Sequence, residues 1–339
     1  NADRLWLCEV ATGNGTVQVV TGAANVRDGA YYPYVGAGGT LPGGVRVERA
    51  KLRGEWSEGM LCSERELGLG RDAAGIMELH GEFPVGTPLV EALGLDDHRL
   101  VLDVTANRGD WLGHWGVALE LAAAGLQDLR LPPIPGGRPV EFEARRGAES
   151  AAAGVPIRIE DPEGCPRYMG LVVRGVRVGP SPEWLAARLR AVGARPINNV
   201  VDATNYVLYE LNHPIHAFDL ATLRGPAIVV RRARPGERIT TLDGEDRALD
   251  PEVLVIADAE RPVAVAGVMG GAETEVTERT TEVLLECAYF EPRRIRRGAR
   301  ALGLDTEASH RFQRGVDPEG LPRALRRVAE LVLAVAGGA

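Results

Sequence analysis

The chain has 339 residues, 45% hydrophobic and 25% charged, a balance that excludes a disordered chain and leaves room for two or three domains with their own cores. No apolar run is long enough to cross a bilayer, and the first residues lack a basic segment leading into an apolar one, so a cytoplasmic protein without a membrane partner is expected. The net charge of -8 argues against a protein that coats DNA or RNA.

Residues 1–95 are rich in glycine and β-branched residues, with short apolar runs such as Val17 to Val20 between turns at Gly13 to Gly15 and Pro42 to Gly44, which predicts a small barrel or sandwich. From Asp110 the period changes. Leu112, Trp115, Leu119 and Ala122 share a helical face that runs to Leu126, with Gly125 as its stop. Consecutive prolines at Pro132-Pro133 mark a linker, so residues 96–154 read as a connecting segment before a third region, residues 155–339. There Ser181, Pro182 and Gly193 bracket a predicted helix with Trp184, Leu185, Leu189 and Val192 as its stripe. Strands are expected at Ile228 to Arg231, Val253 to Ala257 and Val283 to Leu285, a tight turn at Asp243-Gly244, and a closing helix from Leu321 to Val335. The fold class expected is α+β and multidomain.

Several common chemistries are absent. The single lysine, Lys51, lies between Ala50 and Leu52, which excludes a Walker A loop, and neither His-Glu-x-x-His nor Gly-x-Ser-x-Gly occurs. Cys8, Cys62, Cys165 and Cys287 are too far apart for a zinc or redox pair, so reduced thiols and no metal site are expected.

Polar residues gather instead where apolar ones surround them. Arg195 to Tyr206 holds seven, among them Thr204 and Asn205, and His216 follows a turn at Pro214 that returns it toward the same helix. Gly267, Gly270 and Gly271 allow a backbone to approach a ligand closely. Glu286 follows Val283-Leu284-Leu285 directly, and a carboxylate in an apolar strand must find a partner or lose its charge. Thr306 to Arg311 is a further polar stretch, and Arg293, Arg294, Arg296, Arg297 and Arg300 crowd together with only Glu291 opposing them. Each has a structural reading: a bonded core histidine, a brace for a turn, an edge-strand charge, a solvated helix face. Only the joint pattern favours a site.

That pattern resembles the beta subunit of bacterial phenylalanyl-tRNA synthetase along nearly the whole chain. Asn1 to Leu5, Thr21 to Val26 and Ser57 to Ser63 look like its tRNA-binding OB-fold module, here expected as an OB-type barrel truncated at its start. Asp103 to Asp110 looks like the next segment, with Ala106 and Gly109 where the family has proline. Arg195 to Leu220, Ala266 to Glu273 and Thr306 to Asp317 look like the family's editing domain. The resemblance implies an editing pocket, with His216, Thr204 and Asn205 orienting water and ester, and Glu286, Gly267, Gly270, Thr306 and Ala308 contacting substrate. It also implies hydrolysis of mischarged tyrosyl-tRNA(Phe), RNA contact by the arginine run, and an alpha-subunit partner in an alpha2-beta2 enzyme. ATP and Mg2+ would serve the alpha subunit and no cofactor would bind this chain, which is expected to be a fragment of the longer subunit. The alternatives are a tRNA-binding scaffold with an inactive pocket and an unrelated small-molecule hydrolase.

Overall fold

A computed structural model of the chain describes residues 5–70, 72–79, 81–98, 100–125, 129–142, 149–152 (backbone alone) and 154–339. The opening motif at residues 1–4 and the predicted helix end at Leu126 lie outside these. Packing divides the chain into two units, Asn1–Arg99 and Leu100–Ala339.

In the first unit the strands are β1 (Trp6–Thr12), β2 (Gly15–Thr21), β3 (Tyr34–Gly36), β4 (Ala50–Leu52), β5 (Glu55–Ser57) and β6 (Gly59–Leu61), with a single-turn helix α1 (Leu89–Ala92). They pair antiparallel as β1-β2, β3-β6 and β4-β5, and no closed barrel forms among the described residues. The physical reason is visible in two places. Four of these strands have three residues each and so supply few ladder bonds, and β2 meets the β5-β6 corner through isolated bonds, Glu58 N–H to the Gln18 carbonyl (2.9 Å), Val20 N–H to Ser57 Oγ (3.0 Å) and Gln18 Nε2 to the Trp56 carbonyl (2.8 Å). Val19, Leu61 and Ile76 form one small core, and Leu41, Val47 and Cys62 another.

The second unit begins with α2 (His114–Ala123), entered through a single 3-10 turn at Gly109–Leu112. Gly116 packs so closely on that turn that a Cβ would lie 1.9 Å from the Asp110 carbonyl oxygen, which only glycine permits. Next come β7 (Glu149–Ala152), β8 (Val155–Ile159), β9 (Arg167–Arg174), α3 (Glu183–Ala191), α4 (Asn199–Leu211), β10 (Ile215–Asp219), β11 (Ile228–Arg232), β12 (Arg238–Thr240) and β13 (Asp246–Ala248). The chain continues through β14 (Leu254–Ala257), β15 (Pro262–Val265), β16 (Met269–Gly270), β17 (Glu282–Tyr289), α5 (Pro292–Leu302), α6 (Glu307–Phe312) and α7 (Leu321–Ala336). Among the described residues a six-stranded mixed sheet runs β16-β15-β14-β11-β8-β7 and a three-stranded antiparallel sheet runs β10-β17-β9.

β17 is the middle strand of the smaller sheet and is buried on both faces, which is why Val283, Leu284 and Leu285 run on without polar alternation before Glu286 interrupts them. Val283, Leu285 and Cys287 face one way, into a core shared with α3, α4 and α7. Leu284 and Ala288 face the other way, into the core shared with the six-stranded sheet. Glu286 occupies the position between them on that second face. An edge-strand charge is thereby excluded.

The expected cap of α3 is corrected. Pro182 takes the N-cap position with no side-chain bond, and the Ser181 hydroxyl donates instead to Asp202 Oδ2 (2.5 Å). A buried carboxylate elsewhere in the fold outcompetes the local backbone for that hydroxyl.

Candidate active site

The small sheet sets three polar side chains on one face. His216 on β10 lies directly opposite Glu286 on β17, and Glu286 lies opposite Gly170 on β9. Side chains so paired project from the same face about 5 Å apart at Cβ. Tyr168, two residues from Gly170, is the diagonal neighbour of Glu286 on that face.

All three leave a shielded polar atom without a hydrogen-bond partner: His216 Nε2, Glu286 Oε2 and Tyr168 Oη. Buried polar atoms are seldom left unpaired, so three together mark a place where the protein does not complete its own bonding. Burial pushes the Glu286 carboxyl up to about 8, partly opposed by the nearby Tyr168 hydroxyl, which favours the carboxylate without reaching hydrogen-bond geometry. Burial also pushes His216 down to about 4. The histidine is half-buried as a residue, but Nε2 is the shielded atom, and that is where loss of solvent acts. At neutral pH the carboxyl is mostly protonated and the imidazole neutral, so both can exchange hydrogen bonds without holding a charge.

Gly270 closes one side of this patch. A Cβ there would stand 2.5 Å from His216 Cε1, 2.8 Å from Nε2 and 3.1 Å from Leu242 Cδ1, so the glycine lets the imidazole lie against backbone. Gly267 serves differently. Its φ is +65°, and a Cβ would meet Ile295, Phe290 and Phe312 at 2.9–3.0 Å, so its close approach is to the protein's own core. Thr306 is the N-cap of α6 in a reciprocal capping box with Ser309, and its hydroxyl donates to the Val268 carbonyl (2.8 Å), tying α6 to the glycine loop. Ala308 is half-buried against the same core as Phe312.

The segment Arg195 to Tyr206 is mostly structural. Asn198 caps α4 by accepting from Val200 and Val201 N–H. Asn199 Nδ2 donates to the Arg177 and Val335 carbonyls, and Asp202 Oδ1 accepts from Ile197 N–H (2.8 Å). Thr204 is buried and its hydroxyl donates to the Val201 carbonyl (2.7 Å) within the helix, while Asn205 is half-buried. Among the described residues no hydrogen bond joins Thr204 or Asn205 to His216 or Glu286. Val200, Ala203 and Val207 of α4 pack with Ala217, Leu285 and Cys287, strand positions that alternate with His216 and Glu286. The structure thus brings together His216, Glu286 and Gly270, with Thr306 behind the loop, and adds Tyr168. Sequence reading missed Tyr168 because a tyrosine in a buried strand is ordinary; only the β9-β17 register sets it beside Glu286.

Arg293, Arg296, Arg297 and Arg300 on α5 are exposed. Arg294 is half-buried and pairs with Glu252 (2.9 Å). Glu291 does not oppose the run, since its carboxylate caps α5 by accepting from Arg294 N–H. Among the described residues, Arg293, Arg297 and Arg300 form no ion pair, and no group of three His, Cys, Asp or Glu side chains is placed to hold a metal.

Two family models match the chain, one described as "B3/4 domain" over residues 164–337 and one as "Putative tRNA binding domain" over residues 1–88. The first covers just over half of the chain, which belongs to the B3/4 domain family. The resemblance drawn from the motifs is borne out as well. Phenylalanine–tRNA ligase beta subunits from Anaeromyxobacter dehalogenans, Moorella thermoacetica and Syntrophus aciditrophicus are 53%, 50% and 46% identical over 100% of this chain. The chain spans 41–42% of the length of those relatives. Among solved structures, an N-terminal fragment of the phenylalanyl-tRNA synthetase beta-subunit from Pyrococcus horikoshii is 15% identical with a TM-score of 0.32. It aligns over 54% of this chain and 53% of that one, a likeness too distant to bear on fold or function. No helix among the described residues is long and apolar enough to cross a membrane.

Proposed function

We propose that the chain is the editing and tRNA-binding part of a phenylalanyl-tRNA synthetase beta subunit, and that its second unit hydrolyses the ester of tyrosine mischarged onto tRNA(Phe). The observation that carries this reading is Glu286, a buried carboxyl with an unpartnered oxygen, set opposite His216 beside Gly270. Tyrosine differs from phenylalanine by one hydroxyl. An apolar synthetic pocket rejects an added hydroxyl only about a hundredfold, whereas a site that hydrogen-bonds the hydroxyl penalises phenylalanine by leaving its own polar group unpaired.

Glu286 pairs with the phenolic hydroxyl, as donor while protonated and as acceptor above its raised pKa. His216, neutral at working pH and with Nε2 free to bond, positions water or ester; its low basicity makes it a poor proton acceptor. Among the described residues Thr204 and Asn205 make no bond to His216 or Glu286, so in this reading they act on the ester only through the placement of α4 beside β10, and Gly270 gives the aromatic ring room. Gly267, Thr306 and Ala308 support that wall through the loop and α6. The first unit serves as an OB-type tRNA module, and the α5 arginines contact RNA phosphates. Aminoacylation, with ATP and Mg2+, belongs to a cytoplasmic alpha subunit in an alpha2-beta2 enzyme.

The test is release of tyrosine from tyrosyl-tRNA(Phe) by the wild-type chain and by Gly270→Trp. The wild type is expected to be active and the variant inactive, because the indole fills the space beside His216. Equal activity of the two would remove the pocket from the reaction.

A further inference from the structure

We infer that Tyr168 is a positioning residue that orients the Glu286 carboxyl and thereby sets the pocket's selectivity for a hydroxyl-bearing substrate; the selectivity half rests on the editing reading above. Tyr168 and Glu286 are 4% and 6% exposed, and each leaves an oxygen unpartnered. Their strands are paired so that Tyr168 is diagonal to Glu286 on the same face, a span that a tyrosine can bridge. The residue directly opposite Glu286 is Gly170, which has no side chain to stand between them. Glycine inside a strand weakens it, and at this register it clears the space that a carboxyl leaning toward β9 needs.

The donors and acceptors fit in one order. Burial raises the Tyr168 phenol well above its usual value, so it stays protonated and offers its O–H to a carboxyl oxygen. Once made, that bond would hold one oxygen of Glu286 and turn the other toward the ligand. A substrate hydroxyl completes the chain from Tyr168 through Glu286, and a substrate without one leaves it broken.

The test uses the full 339-residue chain with Tyr168→Phe, Glu286→Gln and the double variant. Tyr168→Phe is expected to lower the ratio of tyrosyl- to phenylalanyl-tRNA hydrolysis about tenfold, through KM with kcat nearly unchanged, the loss of one buried hydrogen bond. In the Glu286→Gln background the same change should have no further effect on that ratio. Infrared difference spectra against Glu286→Gln report protonation of the Glu286 carboxyl. Its midpoint should rise in Tyr168→Phe, since the O–H that favours the carboxylate is gone. An unchanged midpoint, or an effect of Tyr168→Phe that persists in the Glu286→Gln background, overturns the positioning role. If the wild type releases no tyrosine, the editing reading has failed and the selectivity half falls with it; the midpoint still decides whether Tyr168 holds Glu286.

Discussion

Helix α4 with its N-cap, and the patch of His216, Glu286 and Tyr168, are both buried and polar, but the fold completes the bonding of only one. Around α4, Asn198, Asn199, Asp202 and Tyr206 each have a protein partner, and Glu210 holds Arg327 through two bonds of 2.6 and 2.7 Å. On the sheet face, three groups are left with an atom unpaired. Polar groups that satisfy one another build a fold, and polar groups left open together on one face are available to a ligand.

The largest effect should come from breaking the completed network. Glu210→Ala strands the Arg327 guanidinium, which is 6% exposed, and should cost about 3–5 kcal/mol in urea unfolding. A loss below about 1 kcal/mol would erase the contrast between the two regions, given the typical effect of surface changes.

His216→Ala should behave in the opposite way. Stability is expected to stay within about 1 kcal/mol of wild type, since no bond to Nε2 is lost, while hydrolysis of tyrosyl-tRNA falls about a hundredfold. Hydrolysis at the wild-type rate would remove the residue from the reaction.

pH gives a third comparison. Glu286, raised from 4.5 to about 8, keeps its proton in the folded state over that range, so its contribution falls as pH rises from 4.5 to 8. His213 and His216, lowered from 6.5 to about 4, act with the opposite sign, and their contribution is complete above pH 6.5. Between pH 6.5 and 8 only the carboxyl of these three still acts. Wild type should lose roughly 1.5 kcal/mol relative to Glu286→Gln across that window in paired denaturation curves. Parallel curves would mean that the carboxyl is charged throughout.

The smallest effect on the fold should come from α5. Replacing Arg297 and Arg300 by alanine removes exposed charges and should leave stability within about 0.5 kcal/mol. If they meet RNA phosphates, the slope of log affinity for tRNA against log salt should shrink by about 0.7–0.9 per arginine. An unchanged slope would leave them as a solvated helix face.

By itself the sequence determined what depends on neighbours a few residues apart. It marked the amphipathic closing helix, realised as Leu321–Ala336, and the Asp243-Gly244 turn, whose glycine has φ +82°. It marked the apolar run that Glu286 interrupts, and motifs specific enough to reach the family. Tertiary structure decided which polar residues are spoken for, because their partners are distant in the chain. The same Asp-Asn-Ser chemistry reads alike whether it caps a helix, as Asn198 does, or draws a distant hydroxyl away from a cap, as Asp202 does with Ser181. The glycines of one short loop likewise diverged, Gly267 pressed on phenylalanines and Gly270 on the imidazole of His216. Strand register settled the rest, since it alone put Tyr168 and His216 on either side of a carboxyl that no local partner could satisfy.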